Sequence, residues 1–294
     1  MPDDTTTRAV ASVVVPAHDE RAVIGRCLLA LAAGTRPGEL EVVVVANGCH
    51  DDTATVAKTV GADRDVTVLE TPVAGKANAI RLGDERLGGH RGTFPRLYLD
   101  ADSVLTGAAV LDMARTLTAS GRPACAPRPE FDLEGASWPV RGFHRALHGL
   151  LGERHSLSGA GAYMLDAAGH RRVFPLPDDV LADDGWVHRT FRPDERTVVD
   201  TARVSVRLPR TVAALIRRRA RVRLGNQQLD RLGRPPTEPP LRPAELTGLV
   251  RRREVAVTDA ACFLAILLAE RVIARWRTAR GTGATWSPDL TTRT

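Results

Sequence analysis

The chain has 294 residues, 43% hydrophobic and 26% charged, with a formal net charge of +6. This balance is ordinary for a folded globular protein and excludes collagen-like and disordered classes. Cys27, Cys49, Cys125 and Cys262 form no Cys-x-x-Cys pair, which argues against a zinc ribbon or a disulfide framework, and no apolar run reaches the roughly 18 residues that a spanning helix needs.

The start, Met1-Pro2-Asp3-Asp4, is polar and acidic and lacks the basic and apolar segments of a secretory leader, so residence in a reducing cytoplasm is expected. Four runs then read as short buried parallel strands: Ser12 to Val15, Val42 to Val45, Val66 to Leu69 and Leu97 to Leu99. Between the first two, Val23, Ile24, Cys27, Leu28 and Leu31 recur at helical spacing. Asp51-Asp52-Thr53 can cap a second helix through Val56 and Val60, and Lys76 to Leu87 reads as a third. The alternation predicts a mostly parallel sheet with right-handed crossovers, whose ligands sit beyond the carboxyl ends of the strands. The segments after each strand therefore carry the most weight: Pro16 to Glu20, Ala46 to Asp52 and Asp100 to Ser103.

Farther on, Pro123, Pro127, Pro129 and Pro139 predict a long loop over 122–143, followed by a helix with His144, Leu147, Leu150 and Leu151. Gly159 to Leu165 reads as a strand led by glycine. Seven arginines between Arg207 and Arg223, with Arg251-Arg252-Arg253 later, make the charge uneven; only Lys58 and Lys76 are lysines. Arg234 to Pro240 reads as a proline-rich spacer, Ala260 to Trp276 as a last apolar helix, and Gly281 to Thr294 as a disordered tail.

Asp100-Ala101-Asp102 at the end of the fourth strand is the most telling segment. Two carboxylates one residue apart share a face beyond the sheet edge, where they can hold a divalent metal that in turn holds a diphosphate; alone, the same pair also occurs as a solvated turn. Dinucleotide and triphosphate loops are excluded. Pro16-Ala17-His18-Asp19-Glu20 has no glycines, and Gly75-Lys76 lacks the upstream glycine and the following Ser or Thr. His144 and His148 stand four apart with Arg145 where a zinc-protease helix carries glutamate.

Four ordered segments together resemble family 2 glycosyltransferases, inverting enzymes of the GT-A fold. They are Val13 to Glu20, Val44 to Thr53, Gly75 to Gly83 and Asp100-Ala101-Asp102. The resemblance spans about residues 11 to 225. It implies an α/β GT-A fold, a Rossmann-like and mostly parallel sheet flanked by helices, here with a C-terminal helical extension. Residues 1–105 would be the nucleotide-sugar half, 106–232 the acceptor-binding and catalytic half, and 233–294 spacer, helix and tail. The implied activity moves a sugar from a nucleoside-diphosphate sugar, UDP-linked by first expectation, to an acceptor hydroxyl with inversion. Asp102 and Asp100 would hold Mn2+ or Mg2+. Pro16, Ala17, Glu20, Asn47, Asp51, Lys76 and Asp100 would face the donor nucleotide. Asp184, with Asp183 beside it, resembles the family's catalytic base, and adjacent carboxylates also suit a helix start. Arg221 and Arg223 fall in a divergent version of a segment that closes over the diphosphate in processive relatives. Trp138 and Trp186 are the acceptor-stacking candidates. The acceptor is expected to be a small molecule, a glycan or a lipid-linked group.

Two rival readings remain at this point. A nucleotidyltransferase also uses paired carboxylates, although no triphosphate loop follows the first strand. A membrane-surface or nucleic-acid-binding protein would use the arginines. Aromatics are only 4% of the chain, so nucleic acid is not an expected partner; the apolar C-terminal helix is expected to pack on the catalytic domain, with peripheral contact at the inner membrane face, or with a helical partner, as the alternative.

Overall fold

A computed structural model describes residues 9–151, 156–239 and 243–279. The expected tail from Gly281 lies outside them. The chain divides into two compact units, residues 1–130 with 156–206 and residues 131–155 with 207–294.

The first unit opens with β1 (Ala11–Ala17), α1 (Ile24–Ala32), β2 (Leu40–Asn47), α2 (Thr53–Gly61), β3 (Val66–Thr71), α3 (Lys76–Arg86) and β4 (Arg96–Leu99). These are the four strands and three helices expected. β1 pairs in parallel with both β2 and β4, and β2 with β3. β1 and β4 are buried along their whole lengths, because helices cover both faces of a parallel sheet, and that is why their sequences are continuous apolar runs. α3 approaches the sheet so closely that a Cβ on Gly83 would lie 2.6 Å from Val14 Cγ1.

Beyond β4 come β5 (Val104–Leu105), α4 (Gly107–Ser120), β6 (Ala124–Asp132), α5 (Trp138–Leu151), β7 (Ala162–Leu165), α6 (Ala167–Val173), α7 (Asp183–Thr190) and β8 (Arg196–Arg207). The eight strands lie in the order β3-β2-β1-β4-β7-β6-β8-β5, with β7 antiparallel to β4 and to β6 and β5 antiparallel to β8. The architecture is a GT-A-like α/β sheet, parallel in its first half and mixed in its second.

The loop expected over 122–143 is replaced by β6 and the first turn of α5. The pairs of β6 with β7 are Ala124 with Leu165 and Cys125 with Met164, so Pro127 and Pro129 fall beyond them, where a missing N–H disturbs neither pair. Pro139 sits in the first turn of α5, where proline is tolerated. β8 was not foreseen; its burial alternates along Thr201 to Val206 in the manner of a strand with one face covered.

A buried polar cluster fixes β4. Arg96, with no exposed surface, donates from Nε to Ser12 Oγ (3.0 Å) and from Nη2 to the Leu87 carbonyl (2.9 Å), and its Nη1 pairs with Asp84 Oδ1. The same carboxylate oxygen accepts from Tyr98 (2.8 Å) and meets His170 Nε2 (2.7 Å). Burial works against charge on Asp84, but its bond to His170 and the nearby Arg96 hold its pKa below the usual value.

The second unit is helical. α8 (Val212–Arg231), α9 (Pro243–Arg251) and α10 (Val257–Ala279) join α5 around a core that includes Val140, Phe143, Leu215, Leu249, Phe263 and Ile266. Phe143 and Phe263 stack with centroids 5.2 Å apart. The last apolar helix therefore starts three residues before the expected Ala260 and packs on α5 and α8. Part of the arginine run is structural: Arg219 Nε lies 2.8 Å and Arg223 Nη1 3.7 Å from the buried carboxylate of Glu270.

Candidate active site

The carboxyl ends of β1, β2 and β4 converge on one edge of the sheet, and the loops that leave them interlock. Asn47, 3% exposed, donates through Nδ2 to the Ala17 carbonyl (2.7 Å), and its Oδ1 accepts from Gly75 N (2.9 Å). Its amide thus ties the loops after β1, β2 and β3 together. His18 Nδ1 donates to the Asn47 carbonyl (2.6 Å). Asp51 accepts from Arg21 N (3.1 Å) and Thr53 N (3.0 Å), and the Thr53 hydroxyl accepts from Glu20 N (2.8 Å). Glu20 is buried at this junction. Asp19, Cys49 and Asp51 bring one ligand-type atom each within 4.8 Å of one another, on these loops rather than at Asp100 and Asp102.

Beside this rim lies a small cleft lined by Pro16, Lys76, Tyr98, Asp100, Gly161, Asp183 and Asp184, among others. Lys76 is the first residue of α3, and its ammonium sits between two carboxylates, 2.7 Å from Asp100 Oδ1 and 2.8 Å from Asp183 Oδ1. Burial opposes its charge, yet Asp100, Asp183 and Asp184 together hold its pKa well above the ordinary lysine value. Asp183 is 3% exposed; burial pushes its carboxyl above the usual range, with Lys76 opposing the shift. The Tyr163 hydroxyl donates to Asp183 Oδ2 (3.4 Å), and the Tyr163 ring stacks on Tyr98, which leads back to the Asp84 cluster.

Asp184 is held differently. Its Oδ2 accepts from Gly159 N (2.9 Å) and its Oδ1 from Gly185 N (2.7 Å). Asp183 and Asp184 both stand in the first turn of α7, where the helix dipole favours negative charge.

Gly161 is a site residue that sequence reasoning passed over. Its φ is +67°, its carbonyl accepts from Asp100 N (2.8 Å), and a Cβ there would lie 2.3 Å from Ser103 Oγ and 3.4 Å from Asp100 Oδ2. Tyr163, two residues on, was likewise read only as strand. The signal available was the pair Gly159 and Gly161 at the head of an apolar strand, since glycine there marks close approach of another backbone.

The structure therefore gathers Pro16, Lys76, Asp100, Asp183 and Asp184 in one cleft, with Ala17, Glu20, Asn47 and Asp51 on the adjoining loops. Asp102 lies on the partly exposed turn two residues past Asp100. Trp186 donates its indole N–H to the Val173 carbonyl (3.2 Å). Trp138, Arg221 and Arg223 belong to the second unit; Trp138 is 62% exposed at the start of α5. In the cleft, three carboxylates face one ammonium, and all the potential metal donors are oxygens. That surplus of negative oxygen fits a hard divalent cation such as Mn2+ or Mg2+.

Residues 12–158, half of the chain, match Glycosyl transferase family 2. No curated protein matches the sequence. Among solved structures, the mannosyltransferase PcManGT from Pyrobaculum calidifontis, in complex with GDP-Man and Mn2+, superposes with a TM-score of 0.59 at 20% identity, covering 97% of this chain and 86% of that one. Glucosyl-3-phosphoglycerate synthase from Mycobacterium tuberculosis, in complex with Mn2+, UDP and glucosyl-3-phosphoglycerate, gives 0.52 at 22% identity, covering 79% and 82%. S. aureus TarS 1-349 in complex with UDP gives 0.52 at 13% identity, covering 96% and 94%. At these identities the likeness is one of fold.

Proposed function

Because the chain belongs to glycosyl transferase family 2, we propose that it transfers a sugar from a nucleoside-diphosphate sugar to an acceptor hydroxyl, with inversion and with the help of a divalent metal. One observation carries this reading: the Lys76 ammonium lies between Asp100, at the end of β4, and Asp183, at the start of α7, in a cleft with Asp184. A cleft that concentrates carboxylates around one cation suits a reaction in which a diphosphate departs and an acceptor loses a proton.

In this reading Asp184 is the general base. Its two amide donors, Gly159 and Gly185, orient the carboxylate, so a hydroxyl presented at the cleft would give up its proton to an oxygen already fixed in place. Asp183 holds Lys76, and Lys76 holds Asp100; the three form a rigid floor. Asp102 and Asp100 would hold Mn2+ or Mg2+, which when bound would neutralise charge gathering on the departing diphosphate. Pro16, Ala17, Glu20, Asn47 and Asp51 form the nucleoside rim, with Asn47 acting by fixing the loops through its two bonds. A UDP-sugar is the proposed donor. Arg221 and Arg223 are proposed to serve the diphosphate, Trp138 and Trp186 the acceptor. Residues 1–105 form the donor half, 106–232 the acceptor half and 233–294 the extension, and the enzyme acts in the cytoplasm.

The test is a panel of sugar nucleotides assayed for hydrolysis and transfer with and without Mn2+ or Mg2+. Wild-type protein should turn over at least one donor only with metal, and Asp102→Ala should abolish metal-dependent donor binding and turnover. Full activity of Asp102→Ala in the presence of chelator would refute the metal assignment.

A further inference from the structure

α10 is apolar on two sides, and only one of them is used. Residues Asp259, Phe263, Ile266, Glu270 and Ala274 face inward, packed on α5 and α8 or paired with their side chains. On the opposite face Val257, Leu264, Leu268, Val272 and Trp276 are 71%, 52%, 62%, 60% and 52% exposed. At 3.6 residues per turn these five positions, with Ala261 and Ala265, occupy an arc of about 120° and a length of about 28 Å. A helix that is apolar all round belongs in a core, so an exposed half of this kind calls for a partner.

Charge identifies the partner. The two acids of α10 both turn inward, where Asp259 pairs with Arg145 (2.7 Å) and Glu270 with Arg219 (2.8 Å). The outward face carries no acid between Val257 and Trp276, and its charged residues are Arg271 and Arg275. Arg251 and Arg253 are exposed just before the helix, where Arg252 pairs with the exposed Glu254 (2.6 Å). An apolar stripe flanked by arginines, with tryptophan near one end, matches an anionic bilayer surface: apolar side chains enter the acyl boundary, and arginines meet lipid phosphates. A second copy of the chain would bring the same arginines onto a like-charged face. Spanning is not the geometry, because among the described residues no helix is long and apolar enough to cross a membrane.

We propose that the outward face of α10 docks the protein on anionic lipid, the helix lying in the plane of the interface. This goes beyond sugar transfer and does not depend on it.

The test is sedimentation of the full chain with phosphatidylcholine vesicles and with vesicles in which about a third of the lipid is phosphatidylglycerol, each at low and high salt. Binding should be confined to the anionic vesicles and weaken at high salt. Leu268→Asp with Val272→Asp, at exposed positions that leave the core intact, should reduce binding at least about tenfold with circular dichroism and melting temperature unchanged. Arg271→Gln and Arg275→Gln should each weaken it about fivefold. Three results would overturn the proposal. They are no binding to anionic vesicles, equal binding by the double aspartate variant, and a concentration-dependent dimer in sedimentation velocity that the double aspartate variant abolishes, which would assign the face to a second copy.

Discussion

Replacing Lys76 by methionine keeps the length of the side chain and removes the one ammonium of the cleft. Asp183, 3% exposed, then loses the partner at 2.8 Å, while Asp100 and Asp184 remain as neighbouring negative charge. Breaking a buried ion pair by removing one member costs about 3–5 kcal/mol, and the Lys76 side chain retains about a quarter of its exposure, so the lower end, about 3 kcal/mol, applies at pH 8. The loss is self-limiting, because Asp183 can take up a proton. Its folded pKa, already raised by burial, rises further without the lysine, while its unfolded value stays near that of an ordinary aspartate. The folded variant then binds more protons than the unfolded chain between those two values, so its stability falls as pH rises through the folded pKa. Urea unfolding of chelator-treated wild type and Lys76→Met at pH 5, 6.5 and 8 should therefore show a gap that widens with pH. A gap below about 0.5 kcal/mol that stays constant over this range would show that Lys76 is not locked between carboxylates.

Asp184→Asn keeps shape and cannot accept a proton; kcat should fall about 10²–10⁴-fold while donor affinity, measured by calorimetry, is retained. Gly161→Ala puts a methyl group against Ser103 Oγ at a φ of +67° and should cost at least about 1–2 kcal/mol in denaturant unfolding. His188 is held neutral by burial and by Arg196, its pKa pushed down to about 3. The unfolded chain binds this proton near pH 6.5 and the folded chain does not, so stability present above that value drains away as pH falls towards 3. About 2 kcal/mol should be lost by pH 5, and a His188→Asn variant should show a correspondingly flatter pH profile.

The parts of the fold legible in the sequence are those where one physical constraint dominates. β1, β2 and β4 are buried on both faces, and that environment writes itself as runs of valine and leucine. β8 obeys a weaker rule, alternate burial, and its many arginines and threonines hide it. Prolines hid β6, because a proline is an obstacle only where a ladder bond is needed, and which residues pair is decided by β7 and β8, some forty to seventy positions later in the chain. In the site, Lys76, Asp100 and the adjacent Asp183 and Asp184 stand at element ends and could be picked out one by one. The cluster of Asp84, Arg96, Tyr98 and His170 could not: its members come from α3, β4 and α6, and each alone is an unremarkable residue.

The two adjacent carboxylates show what sequence alone cannot divide. Successive residues of a helix point about 100° apart, so the first turn of α7 sends Asp183 and Asp184 to different surroundings. Asp183 turns into the protein, beneath Tyr163 and against Lys76, where an ion pair offsets the cost of burial. Asp184 turns to the loop that carries Gly159 and is held there by two backbone amides. Asp183, 3% exposed with Oδ1 on Lys76 and Oδ2 on Tyr163, offers no accessible oxygen to an incoming hydroxyl. A carboxylate held only by neutral amides keeps its shape and remains open to an acceptor. The proposed division of labour, Asp183 as anchor and Asp184 as base, follows from that difference in partners and not from order along the chain.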